Sequence, residues 1–355
     1  MGYRILVINP GSTSTRISFF EDKKQVVKRK ISHDRKEISR FPSLLDQREF
    51  REKVILNIIK DEGYTMDKFN AIAARGGILK SLPSGTYTVN KKMVNYLKYE
   101  TPVQHASNLA AIIAYNLSKR YDIPAYIVDP VSVDEFDDVA RICGMPDIQR
   151  RSLDHPLNLK AVARRCAKRL GKPYEELNLI TVHLGGGISV TAHRKGKMID
   201  GNNTNDEGPF TPGRAGEVPV GALVEAVYSG KYTYEELYSS LVENGGMVAY
   251  LGTNDLKEAM RRFKKGEEKA KLVLKAMVYQ ISKEIYAMSA VLKGRIDAIA
   301  ITGGMAYETY IVNSIREYIP NFAPVLVFPG EMEIEALALG VLRVLKGEEK
   351  AKVYK

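Results

Sequence analysis

The chain opens with a hairpin pattern that it repeats half a chain later, and this self-similarity restricts its fold more than any other feature. Residues 3–8 are apolar and β-branched, break at Asn9-Pro10-Gly11-Ser12-Thr13-Ser14-Thr15, and continue in a second strand over 16–20. Residues 179–183 then lead through Leu184-Gly185-Gly186-Gly187 into a strand over 188–193 and a turn at 194–197. Glycine lets backbone N–H groups approach an oxyanion closely, and hydroxyls add further donors. Two such turns are able to grip one polyphosphate from two sides. Ordinary tight hairpins also use Gly and Ser, so the argument rests on the pairing and on what lies between.

Mixed strand and helix follow each hairpin. In the first half, residues 25–31 suit a third strand, 47–62 an amphipathic helix, 71–74 a short buried strand before Arg75-Gly76-Gly77, 107–121 a helix capped by Ser107, and 124–128 a strand ending at Asp129-Pro130. In the second half, 158–170 suits a helix with an Asn cap and 200–221 a long polar loop. Thr233 with Glu236 forms a capping box, Asn254 caps another helix, and a long helix covers 267–293. A strand over 297–301, a helix over 306–319, a strand over 325–328 and a last helix over 331–345 complete the pattern. This predicts two similar α/β domains of mixed sheets flanked by helices, with a cleft between them and a boundary near 149–154.

Composition limits the function. The chain has 355 residues, 45% of them hydrophobic and 27% charged, which suits two soluble globular domains. No apolar run reaches the length of a membrane span, and no signal peptide or myristoylation signal is legible, so a cytoplasmic location is expected. Cys143 and Cys166 stand apart, without the spacing of a zinc site or a disulfide framework. The net charge of +11 raises nucleic acid as a partner. The basic stretches at 164–172 and 261–271 have helical spacing, and none of the basic stretches interleaves aromatics, so no nucleic-acid partner is expected. A basic cleft would instead attract small anions.

Several phosphate-binding signatures are absent. The Gly-Lys pairs at 171, 196 and 230 lack the following Ser or Thr of a Walker loop, and the Gly185–Gly187 run does not open a helix. Protein-kinase catalytic motifs are missing. What remains is a distributed set at strand ends and in the long loop: Asn9, Ser12, Ser14 and Arg16; Arg75; His105; Asp129; His155; His183; Arg214; and Gly303-Gly304. Polar residues at strand ends are where an α/β protein builds its site.

These segments resemble the acetokinase family. The matching runs are Asn9-Pro10-Gly11-Ser12-Thr13-Ser14, Arg75-Gly76-Gly77, His183-Leu184-Gly185-Gly186-Gly187, Phe210-Thr211-Pro212, Arg214-Ala215-Gly216-Glu217 and Pro329-Gly330-Glu331, spread over essentially the whole chain. The resemblance implies two RNase H-like domains of the actin-like ATPase fold that close over ATP. The first would be 1–152 plus 325–355, the acid and phosphate side; the second would be 153–324, the nucleotide side. The implied activity is phosphotransfer from ATP to the carboxyl of a short-chain fatty acid, butanoate foremost, giving an acyl phosphate and ADP. Acetate, propionate or a branched-chain acid is the alternative within the class, and an actin- or chaperone-like nucleotide switch is the alternative outside it. A magnesium ion and a homo-oligomer are expected.

The resemblance also assigns roles. Asn9, Ser12, Ser14 and Arg16 match the first phosphate loop, Arg16 standing where acetate kinases have Lys. His105, Asp129 and His155 match active-site residues, His183 the histidine beside the transferred phosphoryl, and Arg214 the substrate-side arginine. Gly185, Gly186, Gly187, Asp255, Gly303 and Gly304 fall at nucleotide positions. Asp129 with Glu331 or Glu333 would serve the metal. Ile72 stands where acetate kinases carry Arg, and Arg75 replaces their His, so Arg75 is expected to take over that charge. Ala74 stands in place of a bulkier Val and is expected to line the acyl pocket.

Overall fold

The computed structural model describes residues 2–355. They form two compact units, one ending at Val133 and completed by Met332–Lys355, the other Asp134–Glu331. In the first unit, β1 (Arg4–Pro10), β2 (Ser14–Glu21), β3 (Lys24–Ser32), β4 (Ala71–Ala74), β5 (Thr86–Thr88) and β6 (Ala125–Val128) share a sheet with the C-terminal strand Lys352–Val353. The order is C-terminal strand, β5, β6, β4, β1, β2, β3. β1 pairs antiparallel with β2 and parallel with β4, and β4 pairs parallel with β6. The apolar runs of β1 and β4 are buried on both faces, as central parallel strands require. β3 is the edge, and its Lys24, Lys28, Arg29 and Lys30 discourage pairing with another chain.

Two helices pack on β1, β4 and β6: Ala106–Tyr121 and Glu333–Leu345. Ala110, Ala111 and Ala114 allow the first to lie close. Gly340 does the same for the second, since a Cβ there would fall 2.5 Å from a methyl of Val128.

The second unit repeats the plan. β7 (Asn178–Leu184), β8 (Ile188–Arg194), β9 (Lys197–Gly201), β10 (Ala298–Gly303) and β11 (Val325–Pro329) run in the order β11, β10, β7, β8, β9. β7 pairs antiparallel with β8 and parallel with β10, as β1 does with β2 and β4. The self-similarity of the sequence is therefore a repeat of topology. The long helix Glu268–Val291 covers β7, β8 and β9 with an apolar stripe from Ala270 to Met288.

The structure departs from the sequence expectations in several places. Compact-unit boundaries fall at 133/134 and 331/332, where the sequence placed domain boundaries at 152/153 and 324/325. Residues 134–152 are tied to the second unit: Asp137 N–H donates to Ile199 O at 2.9 Å, and Arg150 pairs with Asp200 and Glu207, both at 3.1 Å. β11 joins the second sheet through β10. β9 occupies a stretch read as turn and loop. The helices expected to be capped by Ser107, Asn158 and Asn254 are capped at His105, His155 and Asp255. The Thr233–Glu236 capping box is present.

Candidate active site

In the first unit the site residues stand at the carboxyl ends of three adjacent parallel strands. Asn9 is the penultimate residue of β1, β4 is followed by Arg75, and β6 by Asp129. Pairing of Ile8 with Ala74, and of Ala74 with Ile127, brings them to one edge, and Arg75 N–H donates to Ile8 O at 3.0 Å. Glu333, the first residue of its helix, receives the Asn9 amide at 3.4 Å and forms an ion pair with Arg75. Glu333 thus sits at this edge, whereas Glu331 is exposed and belongs to the second unit.

Asp129 is buried, with its Oδ1 accepting from Gly85 N–H at 2.7 Å. Its φ of 36° is left-handed, a conformation that costs energy for any residue but glycine and that clusters at functional sites. Gly76 and Gly77 are needed for close approach: Cβ atoms there would lie 2.4 Å from Pro130 Cβ and 2.5 Å from Asn108 Oδ1.

His105 caps the helix Ala106–Tyr121, its Nδ1 accepting from Ser107 N–H at 3.2 Å and lying 2.8 Å from the Ser107 hydroxyl. An accepting Nδ1 leaves the proton on Nε2, so the ring offers a donor. Though solvent reaches the residue, crowding by protein and then the charge of Arg75 hold its pKa below the usual value. The turn after β1 is closed by Gly11 N–H to Ser14 O at 2.7 Å; Ser12 and Arg16 are exposed.

In the second unit the site forms around the Gly185–Gly187 turn. His183 is the penultimate residue of β7 and His155 precedes a helix, and their rings stack with centroids 4.1 Å apart. His183 Nδ1 lies 2.8 Å from the Asn158 amide nitrogen, which donates to it and leaves Nε2 protonated. That Nε2 lies under the turn, 2.6 Å from where a Cβ of residue 185 would be. His155 Nδ1 is 2.8 Å from the Ser189 hydroxyl. Arg214 flanks the same turn: a Cβ at 187 would meet its Nη1 at 2.7 Å and His155 Cε1 at 3.1 Å.

The long loop is tied down by Thr211, whose hydroxyl donates to Gly186 O at 2.7 Å and accepts from Arg214 N–H at 3.0 Å. Arg214 Nη1 donates to Thr204 O at 3.1 Å, and it has no ion pair among the described residues. Burial lowers its pKa, yet a guanidinium stays charged. A half-buried cation with spare donors beside two histidine rings is suited to an anion.

β10 carries Gly303 to the same edge, with Thr302 opposite His183 in register. Its φ of 96° and the 2.2 Å separation of a would-be Cβ from Leu184 O demand glycine, while Gly304 is open. Asp255 is exposed and caps the helix Leu256–Lys264, and no described contact joins it to the glycine turn. Ala74 is fully buried in the apolar core of the first unit. A cavity of about 310 Å³ bounded by Gly208, Glu217 and Glu284 adjoins the long loop but takes in neither histidine.

Among the described residues no three His, Cys, Asp or Glu side chains gather to hold a metal. Asp129 and Glu333 are hard oxygen donors at one sheet edge. That fits a magnesium ion held by one or two carboxylates, with phosphate oxygens and waters filling the other positions.

Of the residues that support the site, Asn158 was read only as a helix cap and Thr211 only as part of a matching run, and Ser189 was not singled out. Asn158 follows His155 by three residues, one helical turn, and Ser189 stands opposite His183 across the hairpin. Both spacings were legible once His155 and His183 were chosen.

Residues 149–321 match the model of the acetokinase family. The chain is 52% identical over 353 residues to a probable butyrate kinase of Thermotoga petrophila, covering 99% of each. It is 50% identical to butyrate kinase 1 of Clostridium acetobutylicum, covering 99% of this chain and all of that one. Among solved structures, the acetate kinase of Porphyromonas gingivalis superposes with a TM-score of 0.79 at 18% identity, over 97% of this chain and 100% of that one. That likeness carries the fold: two α/β domains of the actin-like ATPase type.

Proposed function

The chain belongs to the acetokinase family, and on that premise we propose that it phosphorylates butanoate with ATP, giving butanoyl phosphate and ADP. It is a phosphotransferase with a carboxylate acceptor. The observation that carries butanoate is identity of about half, end to end, with proteins named butyrate kinases. The polar strand ends in each unit supply the donors such a reaction needs.

A fatty acid is ionised at neutral pH and needs no base. Its carboxylate oxygen attacks the γ-phosphorus, the bond to the β–γ bridging oxygen breaks, and ADP departs; no proton is gained or lost. The difficulty is bringing one anion to another, so catalysis is positioning and charge stabilisation. Arg214 and Arg75 bind carboxylate and transferring phosphoryl, where a planar fork outperforms lysine. His183 and His105 each donate from Nε2, and His155 supports His183 by stacking. Asn9, Ser12, Ser14 and Arg16 take phosphate oxygens. The Gly185–Gly187 and Gly303–Gly304 turns let the nucleotide approach backbone, and Asp255 contacts it from the helix start. Asp129 and Glu333 hold magnesium, which neutralises the phosphates when bound. Ala74 borders the acyl chain.

The protein is proposed to act in the cytoplasm as a homo-oligomer. No helix among the described residues is long and apolar enough to cross a membrane. The helices Val220–Tyr228 and Tyr234–Val242 bury none of their own residues, and with the segment between them leave Val220, Val224, Val227, Tyr228, Tyr232, Tyr234 and Tyr238 exposed. These side chains offer on the order of 800 Å², about one partner's share of a stable interface. A second copy of the chain is the occupant, and Tyr228→Glu should lower the mass seen by light scattering; an unchanged mass rejects this surface.

Hydroxylamine trapping tests the activity. Acyl hydroxamate should form from ATP and butanoate, with kcat/KM falling for acetate and for longer or branched acids. No hydroxamate with any short acid would sink the assignment.

A further inference from the structure

The turn after β1 is gripped from behind by a buried arginine. Arg51 lies in the first turn of the helix Arg48–Asp61 and is 0% exposed. Its Nη1 donates to Gly11 O at 2.9 Å and to Ser14 O at 3.1 Å, with the Thr15 hydroxyl at 3.3 Å. Its Nη2 donates to Ser12 O at 2.9 Å and to Gln47 Oε1 at 2.9 Å, and Nε reaches the same Gln47 oxygen at 3.1 Å. All five guanidinium donors are thereby engaged.

This direction of the carbonyls has a consequence for the opposite side. A trans peptide points its N–H away from its C=O. With the carbonyls of Gly11 and Ser12 drawn to Arg51, and that of Thr13 accepting from His33 N–H at 2.9 Å, the N–H groups of Ser12 and Thr13 face outward. Neither N–H has a partner among the described residues, and both residues are exposed. They form a small anion-binding concavity.

Every acceptor around Arg51 is neutral. The carboxylate of Glu52 goes instead to Arg120 at 2.8 Å. A buried cation without a counter-ion is costly, and a neutral side chain could fill the same space more cheaply. Its charge also reaches His33, whose pKa is lowered by burial and then by Arg51. That ring bonds the Thr15 hydroxyl at 2.8 Å. We infer that Arg51 is a positioning residue for ATP: it turns the Ser12 and Thr13 N–H groups toward the polyphosphate and places a fixed positive charge beneath them. This rests on the first turn being a phosphate site, as proposed above.

The test separates nucleotide from acid. Arg51→Lys keeps the charge but not the five-donor fork, and Arg51→Met keeps neither. KM for ATP should rise about tenfold in the first and about a hundredfold in the second, with KM for butanoate within about twofold of the parent. Where Arg51→Met fails to fold, Arg51→Lys decides. A lower kcat at unchanged KM for ATP marks a merely structural role and overturns the inference. The variant Ser12→Asp, which sets a carboxylate against the outward N–H groups, is measured alongside. If it leaves KM for ATP unchanged, the phosphate assignment of the turn fails; if it raises KM while Arg51→Lys does not, only the role of Arg51 fails.

Discussion

Ala74 and Asp154 show how single side chains divide between packing and chemistry. Ala74 is the last residue of β4, flanked in register by Ile8 and Ile127. It is fully buried, so a larger residue there either narrows an acyl pocket or overpacks the core. Two buried methylenes are worth about 1.6 kcal/mol, more than a tenfold preference. Ala74→Val should therefore cut kcat/KM for butanoate about tenfold more than for acetate. Equal losses on both acids would assign Ala74 to the core alone. Asp154 immediately precedes His155, and its Oδ1 is buried without a hydrogen-bond partner. Burial pushes its carboxyl up to about 7. In the unfolded chain the group loses its proton near pH 4, so the stability it contributes is complete below that pH and is lost as pH rises toward 7. Asp154→Asn should raise Tm by about 3 °C or more at pH 8 and little at pH 4. Burial holds His193 down at about 3, which slopes the other way, but equally in both proteins. The same gain at both pH values would refute an Asp154 origin.

At the scale of elements, the β7–β8 turn joins fold to function. Its three glycines are not equivalent. A Cβ at Gly186 meets nothing within 4 Å, whereas one at Gly187 collides with Arg214 and His155. Gly186→Ala, whose Cβ meets no protein atom, should change KM for ATP more than kcat, and Gly187→Ala should lower kcat by about a hundredfold through displaced Arg214, with Tm nearly unchanged. Similar kcat for the two variants would separate Arg214 from the turn. The same turn shows where local sequence stops being informative. Strand, Gly-Gly-Gly, strand is legible as a hairpin, but the Arg214 contact depends on Thr211 anchoring a loop some 25 residues away to Gly186 O. The helix caps erred for a related reason. Ser107 and Asn158 are good caps by type, but the hydroxyl of Ser107 faces His105 and the amide of Asn158 faces His183. Ser107 yields to a local cap two residues before it, His105, whereas Asn158 yields to a partner 25 residues away.

Across the whole molecule, the charge of +11 and a pI near 9.3 accompany a reaction whose substrates are all anions. Long-range attraction of this kind is screened within about 8 Å at physiological salt. Raising ionic strength from about 0.02 to about 0.5 M should lower kcat/KM for ATP several-fold and affect kcat less. A salt-independent kcat/KM would restrict the role of charge to the contact residues. The repeated hairpins, the burial of β1, β4, β7 and β10, and the placing of Asn9, Arg75, Asp129 and His183 at strand ends were all legible in the sequence, because alternation, apolar runs and turn chemistry are local. β9 was not: its residues read as a turn and polar loop, and they form a strand because β8 pairs with them. The boundary near 133 was not legible either, since Arg150 and Asp137 belong to the second unit through bonds to residues about 50 or more positions away. Nor was Arg51, one of two arginines on an amphipathic helix until the turn of residues 11–15 closes over it. Sequence determined which elements form and which residues reach their ends. Tertiary structure alone decided which charges are buried and what they face, because those depend on contacts between segments far apart in the chain.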